Sequence, residues 1–146
     1  GPAVREGIRL RYGWNAAIAS AAFLAPGYQL TVNREPDDPN LAADSAQRLA
    51  NDPRVIRDVR MDAYWGLIQL ADSASDQAPS LQTPSLLLYG GKDNSVPEAG
   101  INHLRDHLAD RGEYRFYPQG PHLLLQGPQR QTVADHILDW IARTSP

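Results

Sequence analysis

Two residues in the second half of the chain could share a proton: Asp93, in Gly90-Gly91-Lys92-Asp93-Asn94-Ser95, and His122, in Gly120-Pro121-His122-Leu123. An imidazole with an ordinary pKa near 6.5 accepts a proton at neutral pH, and a carboxylate on its other nitrogen fixes the tautomer and steadies the imidazolium. Such a pair needs a third group to deprotonate, and no Gly-x-Ser-x-Gly elbow occurs in the sequence. Ser95 has no elbow around it and reads as a turn residue. Taken singly, Asp93 is also ordinary turn chemistry and His122 a loop histidine; their joint placement is what suggests an acid–base pair. His103 and His107, four apart on one helix face, could ligate a metal, but no His-Glu-x-x-His accompanies them. They read as a solvated face, so no metal site is expected.

The elements around this pair form a pattern. Ser85-Leu86-Leu87-Leu88-Tyr89 is short, continuously apolar and bounded by Gly90-Gly91, which predicts a strand buried on both faces of a parallel sheet. Pro97 suits a first helical position, Ile101, Leu104 and Leu108 mark one helix face, and Gly112 ends it. Glu113 to Tyr117 alternates as a second strand, and Pro118 to His122 reads as loop. A last helix is expected from about Pro128, with Val133, Ile137, Trp140 and Ile141 inward. Strand, helix, strand, helix is a βαβα unit, and a parallel pair of this kind belongs to a larger open sheet. Functional groups in such sheets gather beyond the carboxyl ends of the strands. Asp93 and His122 both lie there, one crossover helix apart, so their loops should open on the same edge.

The first half reads differently. From about Arg9 to Ala25, Trp14, Ala17, Ile18, Ala21 and Leu24 recur at helical spacing, with Ala16, Ala19, Ala22 and Phe23 between them, and Pro26-Gly27 stops the run. A helix apolar nearly all round is normally buried, or it touches a hydrophobic ligand or lipid; burial is the expectation. Gln29 to Asn40 reads as loop. Asn40 is placed as the cap of a short helix reaching Asn51. Asp52-Pro53 opens another helical stretch, broken near Asp58, with Met61, Tyr64, Trp65, Ile68 and Ala71 on one face, ending before Pro79.

Tyr89-Gly-Gly-Lys-Asp93-Asn-Ser-Val96-Pro97, followed by Tyr117-Pro-Gln-Gly120-Pro-His122-Leu-Leu, resembles the acid and histidine loops of the monoacylglycerol lipase and lysophospholipase branch of α/β-hydrolases, which includes S33-type serine aminopeptidases. Asp52-Pro53-Arg54-Val55 ahead of Tyr64-Trp65 resembles that branch's cap, and Pro2-Ala3-Val4 the segment after its sixth strand. Pro121, directly before His122, departs from the aromatic or small residue more usual there. The resemblance implies an α/β fold: the C-terminal part of an α/β-hydrolase, with a helical cap (residues 1–78) followed by a βαβα unit with two parallel strands (residues 79–146). It implies a Ser-Asp-His triad in which Asp93 orients, His122 is the base and the serine lies in a preceding half. The cap would cover an acyl pocket, with Trp14, Ile18, Tyr64, Trp65, Val96 and Leu123 as substrate-contacting residues. The implied substrate is an acyl ester such as a monoacylglycerol or lysophospholipid, and no cofactor is implied. Peptidases, thioesterases and epoxide or haloalkane hydrolases of this fold use a similar pair.

By itself, a polypeptide lacking the serine should be almost inert, since its loss costs such triads on the order of 10⁶ in turnover. The alternative is a noncatalytic assembly or binding module. With two strands only, the Ser85 to Tyr89 strand would carry an open edge that recruits the missing half or a second, swapped copy of the chain. The composition of the 146 residues, 42% hydrophobic and 21% charged, is that of a packed domain. A net charge of −3 with scattered arginines gives no basic stripe for nucleic acid. The absence of cysteine excludes disulfides, thiolate metal sites and a cysteine nucleophile. The longest apolar stretch, Ala16 to Ala25, is too short to span a bilayer, although peripheral membrane contact through the cap fits it. Gly1-Pro2 could be a tag scar, so targeting is unreadable; a cytoplasmic or membrane-peripheral location is the expectation.

Overall fold

The computed structural model describes residues 12–108 and 111–145, with side chains from Asn15 onward. The Pro2-Ala3-Val4 segment, the start of the first helix near Arg9 and the Trp14 side chain lie outside the described residues. Helix α1 (Tyr12–Leu24) packs one stripe, Ile18 and Ala22, against Met61 and Ile68 of α3 (Met61–Gln77), with Ala21, Tyr64 and Trp65 alongside. Its other side is open: Phe23 is 85% and Leu24 78% exposed. The helix expected to be buried is therefore covered on one stripe only, because α3 is the main element lying against it.

Two short strands, β1 (Gln29–Thr31) and β2 (Asp58–Arg60), pair antiparallel, with Thr31 donating to Asp58 at 2.6 Å. The sequence reading placed a loop and a helix break there. Each three-residue strand has a single apolar residue, Leu30 or Val59, between two polar ones, too short a run for alternation to stand out. Helix α2 (Ala43–Asn51) starts later than expected. The Asn40 amide donates to Asp38 Oδ1 at 3.1 Å, so its side chain serves the preceding turn, and the cap position falls to Ala42 without a side-chain bond. From Asp52 the chain turns instead of continuing as helix: the Asp52 carboxylate accepts from the Arg54 backbone at 2.9 Å and holds its guanidinium.

The back half has the expected order. Strands β3 (Ser85–Lys92) and β4 (Gly112–Pro121) run parallel, with Ser85 opposite Gly112 and Gly90 opposite Tyr117. Helix α4 (Glu98–Leu108) lies between them in sequence. Gly100, Ile101, Leu104 and Leu108, at three- and four-residue spacing, form its buried stripe. Glu98 in its first turn and Arg105 and His107 in its last suit the helix dipole. That stripe meets Leu87, Tyr89, Val96 and Ala78 in one core. The strand expected to be buried on both faces is closed on one: Leu87 and Tyr89 are buried, whereas Leu86 and Leu88 are half-buried. Helix α5 (Arg130–Thr144) buries Val133 completely but leaves Ile141 45% exposed, correcting its inward assignment. Among the described residues no helix is long and apolar enough to cross a membrane.

Polar contacts tie α5 to the first half and to β4. Arg130 of α5 reaches Asp44 of α2 at 2.7 Å and buried Ser45 at 3.1 Å. Arg143 of α5 meets Glu113 of β4 at 3.0 Å, and Tyr117 meets His136 at 2.9 Å. The Arg130 hydrogen bond holds the Asp44 carboxyl below its ordinary pKa, and Arg115 and then Arg143 do the same for Glu113. A depressed folded-state pKa gives stability that is present above the unfolded value and lost as pH falls through the folded one.

Urea midpoints should therefore hold steady between about pH 7 and 5 and decline below about pH 4, and the double variant Asp44→Asn, Glu113→Gln should flatten that decline. An unchanged acid slope would count against these pairs. In the core, Leu104→Ala should lower unfolding free energy by about 2–5 kcal/mol, against under about 0.5 kcal/mol for exposed Leu138→Ala, both read from urea denaturation.

Candidate active site

The site depends on how closely two backbones pass. A Cβ on Gly90 would stand 2.3 Å from the Gly120 carbonyl oxygen and 2.6 Å from that of Pro121; one on Gly91 would stand 2.6 Å from that of Pro118. Only glycine admits that approach. The segment expected to be a loop, Pro118 to Pro121, therefore continues β4 across the end of β3. The register shifts between Gly90 and Lys92, and Lys92 pairs with Pro121. His122 is the next residue.

On the β3 side the chain turns sharply, with the Asp93 N–H donating to Gly90 O at 3.1 Å. Asp93 Oδ1 accepts from the backbone N–H of Ser95 at 2.7 Å and of Val96 at 2.9 Å. The Tyr89 hydroxyl donates to Val96 O at 3.0 Å and fastens the far end of the turn; burial, and then the charges of Asp93 and Glu98, push its pKa up. Asp93 Oδ2 is left for His122, whose Nδ1 lies 2.9 Å away. The Asp93 side chain is 6% exposed and that of His122 37%. With Nδ1–H donating to the carboxylate, the neutral ring carries its lone pair on Nε2. The arrangement can take a proton at Nε2 while a buried, doubly anchored carboxylate stabilises the resulting cation.

His122 stands at the junction of two open grooves. One, of about 340 Å³, is mainly apolar and runs along Leu86, Leu88, Leu123, Leu125, Val133 and Ile137. The other, of about 350 Å³, is polar and includes Arg34, Asp38, Lys92, Asn94 and Ser95. Of the residues read as contacting substrate, Leu123 lines both grooves. Val96 is buried in the core under the Asp93 turn, where it borders a small cavity shared with Asp93 and His122. Ile18, Tyr64 and Trp65 pack in the α1–α3 cluster and line neither groove. Arg34, Lys92 and the Tyr89 hydroxyl were not singled out from sequence. Lys92, the sole lysine, offered a signal; Arg34, in an irregular segment, offered none. The His103 and His107 rings are 4.1 Å apart, and His107 Nδ1 donates to His103 O at 2.7 Å. Among the described residues no three His, Asp or Glu side chains form a metal cluster.

The parallel pair β3 and β4 joined by helix α4 has the fold of part of an α/β-hydrolase, which solved structures share. The fold matches the monoacylglycerol lipase of Paleococcus ferrophilus with a TM-score of 0.76 at 20% identity, over 92% of this chain and 53% of that one. It matches a soluble variant of Saccharomyces cerevisiae monoglyceride lipase, solved with a substrate analogue, with a TM-score of 0.72 at 12% identity, over 97% and 50%. The profile described as serine aminopeptidase, S33, matches residues 1–129, and the chain belongs to that family. It is also 31% identical over 114 residues to a monoacylglycerol lipase of Mycolicibacterium smegmatis, covering 70% of this chain and 40% of that protein. The chain thus spans about half the length of these relatives or less.

Gly90→Ala should cost about 1–3 kcal/mol by forcing the two backbones apart. Asp93→Ala should cost about 1–3 kcal/mol by stranding the Val96 and Ser95 N–H groups, and Asp93→Asn, which keeps an acceptor there, should cost less. Urea unfolding of the three variants measures this order; equal effects of Ala and Asn at position 93 would contradict the anchoring role.

Proposed function

We propose that Asp93 and His122 are the acid and base of a Ser-Asp-His triad in a carboxylic ester hydrolase acting on lipid monoesters such as monoacylglycerols or lysophospholipids. The observation that carries this reading is the 2.9 Å contact between Asp93 Oδ2 and His122 Nδ1, made by a carboxylate whose other oxygen is held by two backbone N–H groups. With Nδ1 engaged by the carboxylate, Nε2 is the nitrogen left to exchange a proton. Relatives named as monoacylglycerol lipases support the substrate class.

In this reading the serine comes from a stretch of polypeptide outside these 146 residues, because no serine elbow occurs within them. Once it is delivered, Nε2 removes the serine proton as the hydroxyl attacks the ester carbonyl, and then returns it to the leaving alcohol. The surface fits such an addition. Among the described residues β3 is paired on one edge only. A second apolar groove of about 450 Å³, lined by Leu70, Leu81, Leu86 and Leu104, also stands open at the other end of that strand. Covering these surfaces would bury apolar area that an isolated chain leaves in water.

Co-expression with a serine-bearing segment should give hydrolysis of p-nitrophenyl esters. His122→Ala should then lower kcat by about 10⁶ and Asp93→Asn by about 10⁴. Activity that survives both substitutions would reject the triad, and an absence of activity in the assembled protein would favour the noncatalytic module.

A further inference from the structure

Arginines in this structure are mostly spent on partners: Arg48 and Arg130 on Asp44, Arg115 and Arg143 on Glu113, and the others on a carboxylate, amide or carbonyl oxygen. Arg34 is the exception among the described arginines. Neither it nor Lys92, the chain's single lysine, makes an ion pair or side-chain hydrogen bond among the described residues. These two uncommitted cations come from separate segments, one in the irregular stretch after β1 and one at the tip of β3. Both line the same polar groove, of about 350 Å³, with His122 at its side. Asp38 lines it too, but its Oδ1 is already held by the backbone and side-chain amides of Asn40, at 2.9 and 3.1 Å. Two cations thus face one partly satisfied carboxylate, leaving the groove short of negative charge. Asn94 and Ser95, also on its wall, can hydrogen-bond hydroxyl groups.

We infer that this groove binds the phosphate of a glycerophosphate head group. Guanidinium and ammonium are the side chains that suit phosphate, one as a planar fork and the other as a point charge, and the groove's size is that of a small-ligand site. Because it adjoins His122, a phosphate held there lies a short polyol away from the imidazole. The preferred ester is then an anionic lysophospholipid with a small head group, ahead of an uncharged monoacylglycerol. The substrate assignment rests on the triad reading of Asp93 and His122; the anion site does not.

Binding and turnover separate the two. Titrating glycerol 3-phosphate, inorganic phosphate and glycerol into the 146-residue chain, followed by NMR shifts of the Lys92 and Asn94 amides, should show glycerol 3-phosphate binding more tightly than phosphate, and glycerol not at all. Affinity should fall about tenfold in Lys92→Gln and again in Arg34→Gln, each removing one charge-assisted contact, and should weaken as salt rises. Equal affinity for the two phosphates, binding that ignores both substitutions, or no binding would overturn the site. In protein completed with its serine-bearing segment, the kcat/KM ratio of 1-acylglycerol 3-phosphate to 1-acylglycerol should exceed one and drop about tenfold in either variant, mainly through KM. A ratio of one that neither variant changes would overturn the head-group assignment. Glycerol 3-phosphate binding without ester cleavage would sink the triad reading and leave the anion site standing.

Discussion

The near-contact between the end of β3 and the tail of β4 is the constraint on which the rest of this structure depends. At Gly90 and Gly91 there is no room for even a methyl group. The missing side chains let β4 run on past its regular pairing to Pro121, so that the next residue, His122, reaches Asp93. A hydrogen bond between two side chains 29 positions apart is thus set by backbone sterics before electrostatics enters. The bond then benefits from the burial of its acid, whose second oxygen is occupied by the turn. A carboxylate fixed at both oxygens cannot swing away when the imidazole becomes charged, and that is the preorganisation acid–base chemistry requires.

The supporting elements divide the work unevenly. The core of α4 against β3 is apolar and local, and it holds the acid turn from below through Val96 and the Tyr89 hydroxyl. The histidine side is held by polar contacts over longer range: Ala42 N–H to Gln126 O at 2.8 Å, Arg130 to Asp44, and Tyr117 to His136. The ion pair among these contacts, Arg130 with Asp44, is exposed and contributes little by itself. Together the contacts orient α5 and the segment after His122 without gluing them down. One open apolar groove lies between β3 and α5 and another between α3, β3 and α4, and Phe23 and Leu24 at the end of α1 are exposed as well. The chain spans about half the length of the relatives it matches, or less.

The sequence by itself determined the βαβα order, because Ser85 to Tyr89 and the Ile101, Leu104, Leu108 stripe carry distinct periods, and it marked Asp93 and His122 as lying beyond consecutive strands. It was silent about β1 and β2, whose three residues are too few for an alternation to register, and it misplaced the start of α2 because Asn40 had a nearer turn to cap. Only tertiary structure decided that α1 would leave Phe23 and Leu24 in water, that Pro118 to Pro121 would be strand, and that Ile18, Tyr64 and Trp65 would pack together away from the grooves at His122. It also brought Arg34 to the groove that Lys92 borders. The physical reason is the same throughout. Periodicity records which face of an element prefers burial, whereas the distance between two backbones, and the charges left without partners once they have met, are set by contacts between residues far apart in the chain.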